Sequence, residues 1–263
     1  MQEQGKDELY DAVKDMLSRD DFDEKVRKEI ENYGGLIDED AAAMIVVDKL
    51  RRDFFNTVKI SELEEPKEVT LYARVEFLGE VKKFDGGRVA NVVISDETGM
   101  CILVLWDNHA GLVEGGKIAE GMTIKVINGY TKEGYYGIEV NVGRWGLVKV
   151  DEGRMKGHNT ITKLMEANKG IVNIEARIKK IRPTKIFFTE KGERFAASIL
   201  AEDESGERIV VLWDEMARML QNFREGDTVI IKRAYVKNGE IHAGEISSIK
   251  KAGRQHKLPH TNL

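Results

Sequence analysis

Two tryptophans raise the question of chemistry. Trp106 stands next to last in the stretch "SDETGMCILVLWD" and Trp213 next to last in "AEDESGERIVVLWD", 107 residues later, and Asp96 and Asp203 repeat at the same separation. Each ring ends a run of β-forming residues. Lys82, Lys83 and Arg88 precede the first, and Arg177, Lys179, Lys180, Arg182, Lys185 and Arg194 precede the second. Flat aromatics beside cations suit a single strand of nucleic acid, because stacking supplies about 1–3 kcal/mol per base, accepts every base and leaves the phosphates to the cations. The plain alternative is that each indole closes a core. Alternation does not decide, since "CILVLW" and "RIVVLW" are apolar on both parities. Phe84 lies in the loop between the first two strands of the first copy, and Phe187 and Phe188 occupy that loop in the second. Exposed rings there need a ligand or another barrel to cover them. Tyr135 and Tyr136 share a hairpin in which one can stack and one can pack. Trp145 has no counterpart and reads as structural.

Other chemistry finds no footing. "GLVEGGKI" (111–118) fits the spacing of a phosphate loop but carries Ile118 where a magnesium-binding hydroxyl is needed, and it opens no clear helix. The histidines at 109, 158, 242, 256 and 260 are scattered, so no metal site is expected. A single cysteine, Cys101, excludes a disulfide framework and any cysteine-rich zinc site. No nucleophile, base and orienting group fall together, so neither an enzyme nor a cofactor is expected.

The elements that position the aromatics repeat with them. From residue 57 the pattern is that of strands: "EVTLYARVEFL", "RVANVVISD", "CILVLW", "MTIKVINGY" and "GIEVNVGRW". The second copy runs "IVNIEARIKKI", "RFAASILAED", "RIVVLW", "DTVIIKRAYV" and "EIHAGEISSI". Between the third and fourth strands the first copy has room for a short helix, and the second writes one as "DEMARMLQNFREG". Five strands with a helix between the third and fourth is the order of the OB-fold, a barrel that binds oligonucleotides and oligosaccharides. The fold class is therefore mainly β with an N-terminal α segment, carrying two tandem five-stranded OB-fold barrels. The expected division is a helical element at 1–56, barrels at 57–150 and 160–252, a polar linker at 151–159 and a disordered tail at 253–263.

The helical element places Leu9, Val13, Met16 and Leu17 on one stripe, repeats Phe22, Val26 and Ile30, stops at Gly34-Gly35 and restarts at Asp38. So short a bundle must lean on the barrel or on a partner. Charge is graded along the chain: net −7 over residues 1–56, −3 over 57–150 and +5 over 151–263. The last third is where a polyanion groove is expected. No apolar run has the roughly 18 residues of a membrane span, and the acidic N-terminus is unlike a secretory signal. A cytoplasmic location is expected, nucleoid-associated in a prokaryote, with no membrane partner.

With two OB-like barrels, Leu-Trp-Asp after "DETG" and "DESG", and "GGLIDEDAAAMIVVDKL" in the helical preface, the chain resembles replication protein A of archaeal type. The resemblance implies sequence-tolerant single-stranded DNA binding in replication, repair and recombination. It places stacking aromatics at Trp106 with Tyr135 or Tyr136, and at Trp213. It places basic contacts at Arg182, Lys185 and Arg194. The second hairpin, "KNGEIHAG", lacks an aromatic, and Phe187 or Phe188 can substitute from the neighbouring loop. The four-cysteine zinc element of many archaeal members is missing. Replication or repair proteins are expected to dock on the N-terminal helices, and a homo- or hetero-oligomer is compatible with the family. An RNA-binding OB protein and a protein-interaction scaffold stay open as alternatives.

Overall fold

The computed structural model describes residues 5–51, 55–151, 153–190 and 192–252, so the expected tail at 253–263 lies outside the described residues. The chain divides into two compact units, 1–158 and 159–263.

In the first unit, α1 (Lys6–Asp11), α2 (Arg19–Asn32) and α3 (Glu39–Leu50) precede the barrel. Ser18 caps α2 by accepting from Asp21 N at 3.2 Å, and Asp38 caps α3 by accepting from Ala41 N at 2.9 Å. The helix α1 stops five residues short of Met16, which is exposed rather than part of the apolar stripe. The helices do lean on the barrel. Leu9, Phe22, Val26 and Ala41 to Val47 share one core with barrel residues Ile127 and Leu147. Beside that core, α3 sends Asp48 into the barrel wall. It meets Lys125, and Lys149 Nζ at 3.1 Å, with Asp48 and Lys125 both almost wholly buried. The Lys125 ammonium also lies 4.9 Å from the centre of the Tyr72 ring.

The barrel follows: β1 (Glu68–Leu78), β2 (Lys82–Phe84), β3 (Gly87–Ser95), β4 (Met100–Trp106), α4 (Ala110–Glu114), β5 (Thr123–Gly134), β6 (Gly137–Val142) and β7 (Leu147–Asp151). Five strands close in the order β1-β3-β4-β6-β5 and back to β1, with β4 and β6 parallel, which is the OB-type closure. The structure adds β2, a short hairpin partner of β3, and β7, which pairs with β5. The expected fifth strand thus ends at Val142, and Trp145 stands in the turn before β7. The second unit repeats the plan with β8 (Ile171–Ile181), β9 (Lys185–Thr189), β10 (Gly192–Asp203), β11 (Gly206–Trp213), α5 (Glu215–Met219), β12 (Thr228–Lys237), β13 (Glu240–Ala243) and β14 (Ser248–Lys251). Its barrel closes as β8-β10-β11-β13-β12 and back to β8.

Much of the repeated sequence is scaffold. Asp96 accepts from Ile60 N at 2.9 Å and from Thr98 N at 2.7 Å; Asp203 accepts from Leu164 N at 2.7 Å and from Ser205 N at 2.8 Å. Each aspartate thereby holds its own turn and the single 3₁₀ turn that enters the barrel. Leu105 and Leu212 are wholly buried in the two cores. Asp107 and Asp214 turn the chain at φ 48° and 47°, and each carboxylate accepts from the backbone of the neighbouring strand, Arg88 N at 3.2 Å and Phe195 N at 3.1 Å. Glycine is required at 121 and 226, where φ is 88° and 92° and the amides donate to Val75 O and Ile178 O. Ile118 of the phosphate-loop look-alike is simply a core residue.

Candidate nucleic-acid interface

The register settles which loop residues can act with the tryptophans. Cross-strand partners share a face of a sheet, and so do residues two apart on one strand. In the first barrel Val89 pairs with both Lys82 and Trp106, which sets Lys82, Val89 and Trp106 in one row on the outer face. Phe84 is two residues from Lys82 and belongs to that face; its ring meets the Trp106 ring edge-on, with centroids 6.5 Å apart. In the second barrel Ala196 pairs with both Lys185 and Trp213, and the next row pairs Phe187 with Arg194. The Arg194 guanidinium lies 5.9 Å from the Trp213 ring centre while its Nε donates to Asp214 Oδ2 at 2.7 Å. Burial would raise the Asp214 carboxyl, but the Arg194 hydrogen bond and the Phe195 amide outweigh it and hold it below the ordinary carboxylate range. Both tryptophans are half-buried.

Other expected residues fall elsewhere. Lys83 and Arg88 lie on the reverse face of the first hairpin, and both bond to Glu114 at 2.7 Å. Arg177 pairs with Glu202 at 3.7 Å, and Lys179 bonds Glu202 and Glu207, toward the far end of the same outer face from Trp213. Lys180 pairs with Leu200 on that face, and Arg182 donates its amide to Ser198 O at 2.9 Å; both side chains are exposed. Phe188 is 80% exposed but alternates with Phe187, so it lies with Ile186 on the reverse of its hairpin. At the tip of β5–β6, Tyr135 is exposed and Tyr136 half-buried, with ring centroids 5.0 Å apart at 78°.

The structure also assembles residues that the sequence did not single out. Trp106 Nε1 donates to Asn141 Oδ1 at 3.0 Å, and Trp213 Nε1 donates to His242 Nδ1 at 3.1 Å. Tyr130 pairs with Asn141 and is exposed; Tyr235 pairs with His242 and is buried, its ring 5.4 Å from the imidazole. Beside Trp106, a cleft of about 260 Å³ is lined by Leu36, Asp38 and Arg144 among others, so the helical segment helps to frame the first aromatic. The signal available was positional: "EVN" and "EIH" stand at corresponding places in the two copies.

Each face by itself offers a tryptophan and a lysine in one row and a hairpin phenylalanine in the next. Replication factor A of Methanothermobacter thermautotrophicus strain Delta H is 27% identical over 250 residues, a match that takes in 84% of this chain and 31% of that protein. The chain resembles archaeal replication factor A. It spans about a third of that relative's length. No protein-family model matches it. Among solved structures, a replication factor A related protein from Methanobacterium thermoautotrophicum is 29% identical over 37% of this chain and 92% of its own, at a TM-score of 0.34. A replication protein A heterotrimer bound to single-stranded DNA is 10% identical, covering 76% of this chain and 52% of its own, at a TM-score of 0.41. Among the described residues, no helix is long and apolar enough to cross a membrane.

Proposed function

We propose that this chain binds single-stranded DNA with little regard to sequence, stacking bases on Trp106 and Trp213, and that it serves DNA replication, repair and recombination. The observation that carries the reading is the shared register: in each barrel a lysine, a small or β-branched residue and the tryptophan form one row, with a phenylalanine in the next. An open indole offers a π-face to any base, and the row's lysine stands where a phosphate would follow. Phe84 and Phe187 extend the two platforms. Tyr135 and Tyr130 extend the first, while Lys82, Lys185, Arg182 and Arg194 supply positive charge along the track. The similarity to replication factor A agrees with this ligand, as does the net charge of +5 over residues 151–263. The two barrels then act as tandem modules joined through 151–159. The helical segment belongs to the first module, and a net charge of −7 over residues 1–56 fits it to protein partners rather than to DNA. Titration with oligo-dT at low and high salt, followed by competition with a matched oligo-U, tests the proposal. Salt-dependent quenching of tryptophan fluorescence is expected, with DNA preferred. Absence of binding to either oligomer would overturn it.

A further inference from the structure

Both indoles are tied at their nitrogen, and by corresponding positions of the two barrels. The acceptors Asn141 and His242 stand on the strand parallel to the tryptophan strand, in register with Val104 and Val211. Each follows a glutamate by two residues. Glu139 Oε1 accepts from Asn141 Nδ2 at 3.3 Å, and Glu240 Oε2 lies 3.8 Å from His242 Nε2. In the first barrel the glutamate thereby holds the amide whose other end receives the indole N–H, and in the second the carboxylate stands near the imidazole without a hydrogen bond to it.

We propose that Asn141 and His242 are positioning residues that hold Trp106 and Trp213 in orientation for a base, and that His242 alone makes this hold proton-sensitive. The proposal rests on the reading of the tryptophans as DNA platforms. An indole nitrogen can only donate, so His242 Nδ1 is bare and the ring is neutral with its proton on Nε2. The Trp213 and His242 rings lie 17° apart with centroids at 6.3 Å, which with a hydrogen bond edge to edge makes them neighbours in nearly one plane. The Tyr235 ring stacks on His242 at 17° with centroids 5.4 Å apart, and of the three rings Trp213 alone is not buried. A base arriving there meets a ring already fixed in place rather than one that must be immobilised.

Burial lowers the pKa of His242, against the attraction of Glu240, so the ring accepts at neutral pH. The groups facing it are Glu240 on its own strand, Tyr235 and Lys237 on β12, and, beyond the indole, Asp214 with Arg194. On acidification Nδ1 gains a proton and confronts the indole N–H donor to donor. The imidazolium is drawn toward Glu240, and the hold on Trp213 is lost. The Asn141 amide does not titrate, so Trp106 stays held.

The test uses the ¹⁵N-labelled full chain, reading the three indole N–H resonances without DNA from pH 8 to pH 5, and then oligo-dT affinity. The Trp213 resonance is expected to move with one titration that His242→Asn abolishes, while the Trp106 resonance stays level. His242→Leu is expected to weaken oligo-dT binding about three- to tenfold at pH 7.5, the loss of one hydrogen bond. His242→Asn is expected to restore it to within about twofold of the parent, as an acceptor that needs no proton balance. A level Trp213 resonance, or His242→Leu binding as tightly as the parent, would overturn the positioning role. Failure of the parent itself to bind oligo-dT would refute the DNA reading and leave the indole titration to stand on its own.

Discussion

Replacing Asp48 by Asn probes how the helical segment is fastened to the first barrel. The side chain of Asp48 is 4% exposed and that of Lys125 is 1% exposed, with Lys149 completing the cluster from β7. The substitution keeps the shape and removes the one negative charge that the described residues bring to that cluster, so two ammonium groups remain, one of them buried without its ion-pair partner. Removing one partner of a buried pair costs about 3–5 kcal/mol. That is a large share of the roughly 5–15 kcal/mol that holds a domain folded. Chemical denaturation of the full chain, followed by circular dichroism and by tryptophan emission, should therefore show the first unit unfolding well before the second. Changing Asp48 to Leu and Lys125 to Met together should recover most of the loss, because no buried charge is left unpaired. Burial would lower the Lys125 pKa, but the Asp48 and Tyr72 contacts outweigh it and raise it above 10.5. The parent's stabilisation by Lys125 is thus complete below 10.5 and fades only as pH rises through the higher folded value. A cost under about 1 kcal/mol for Asp48→Asn would refute the reasoning, showing that the cluster is solvated.

Three more expectations follow from register and burial. Phe187→Ala should weaken oligo-dT binding several-fold in a filter or fluorescence titration, whereas Phe188→Ala, on the reverse of the hairpin, should leave it within about twofold. Asp203→Asn should lower the melting temperature of the second unit, and its parent carboxylate, held below 3.8 by hydrogen bonds from Ser205 and Leu164 against desolvation, should contribute stability above pH 3.8 that is lost as acid protonates it. Cys101 is buried and its thiol is pushed up by desolvation, so the native chain should resist a thiol reagent until denaturant is added.

The closed barrels were legible because the repeat carried its landmarks in order: Asp96 with Asp203, Trp106 with Trp213, Gly121 with Gly226. Each landmark meets a local demand, a turn acceptor, a strand end or a positive φ, and local demands leave marks in sequence. The placement of the two tryptophans at corresponding strand ends was legible for the same reason. Pairings made across the barrel were not. Lys83 and Arg88 read as free cations until α4 brought Glu114 between them, about 30 residues along the chain. Phe187 and Phe188 could not be separated before the hairpin register fixed their parity. Asn141 drew no notice and His242 was weighed only as a metal ligand, because their contacts with the indoles exist only through the parallel closure of β6 on β4 and β13 on β11. The helical segment was read correctly as needing support, yet nothing in "AAAMIVVDKL" announced that its buried Asp48 would be answered by a lysine 77 residues away.

The most direct test of the central claim is oligo-dT affinity of Trp106→Ala, Trp213→Ala and the double variant, each shown by circular dichroism to keep its β content. Each single change should cost about 1–3 kcal/mol, and on the proposal that the indoles stack on different bases of one strand the double change should cost about their sum. Folded variants that bind oligo-dT as tightly as the parent would contradict it, and the indoles would then be core residues that happen to end their strands.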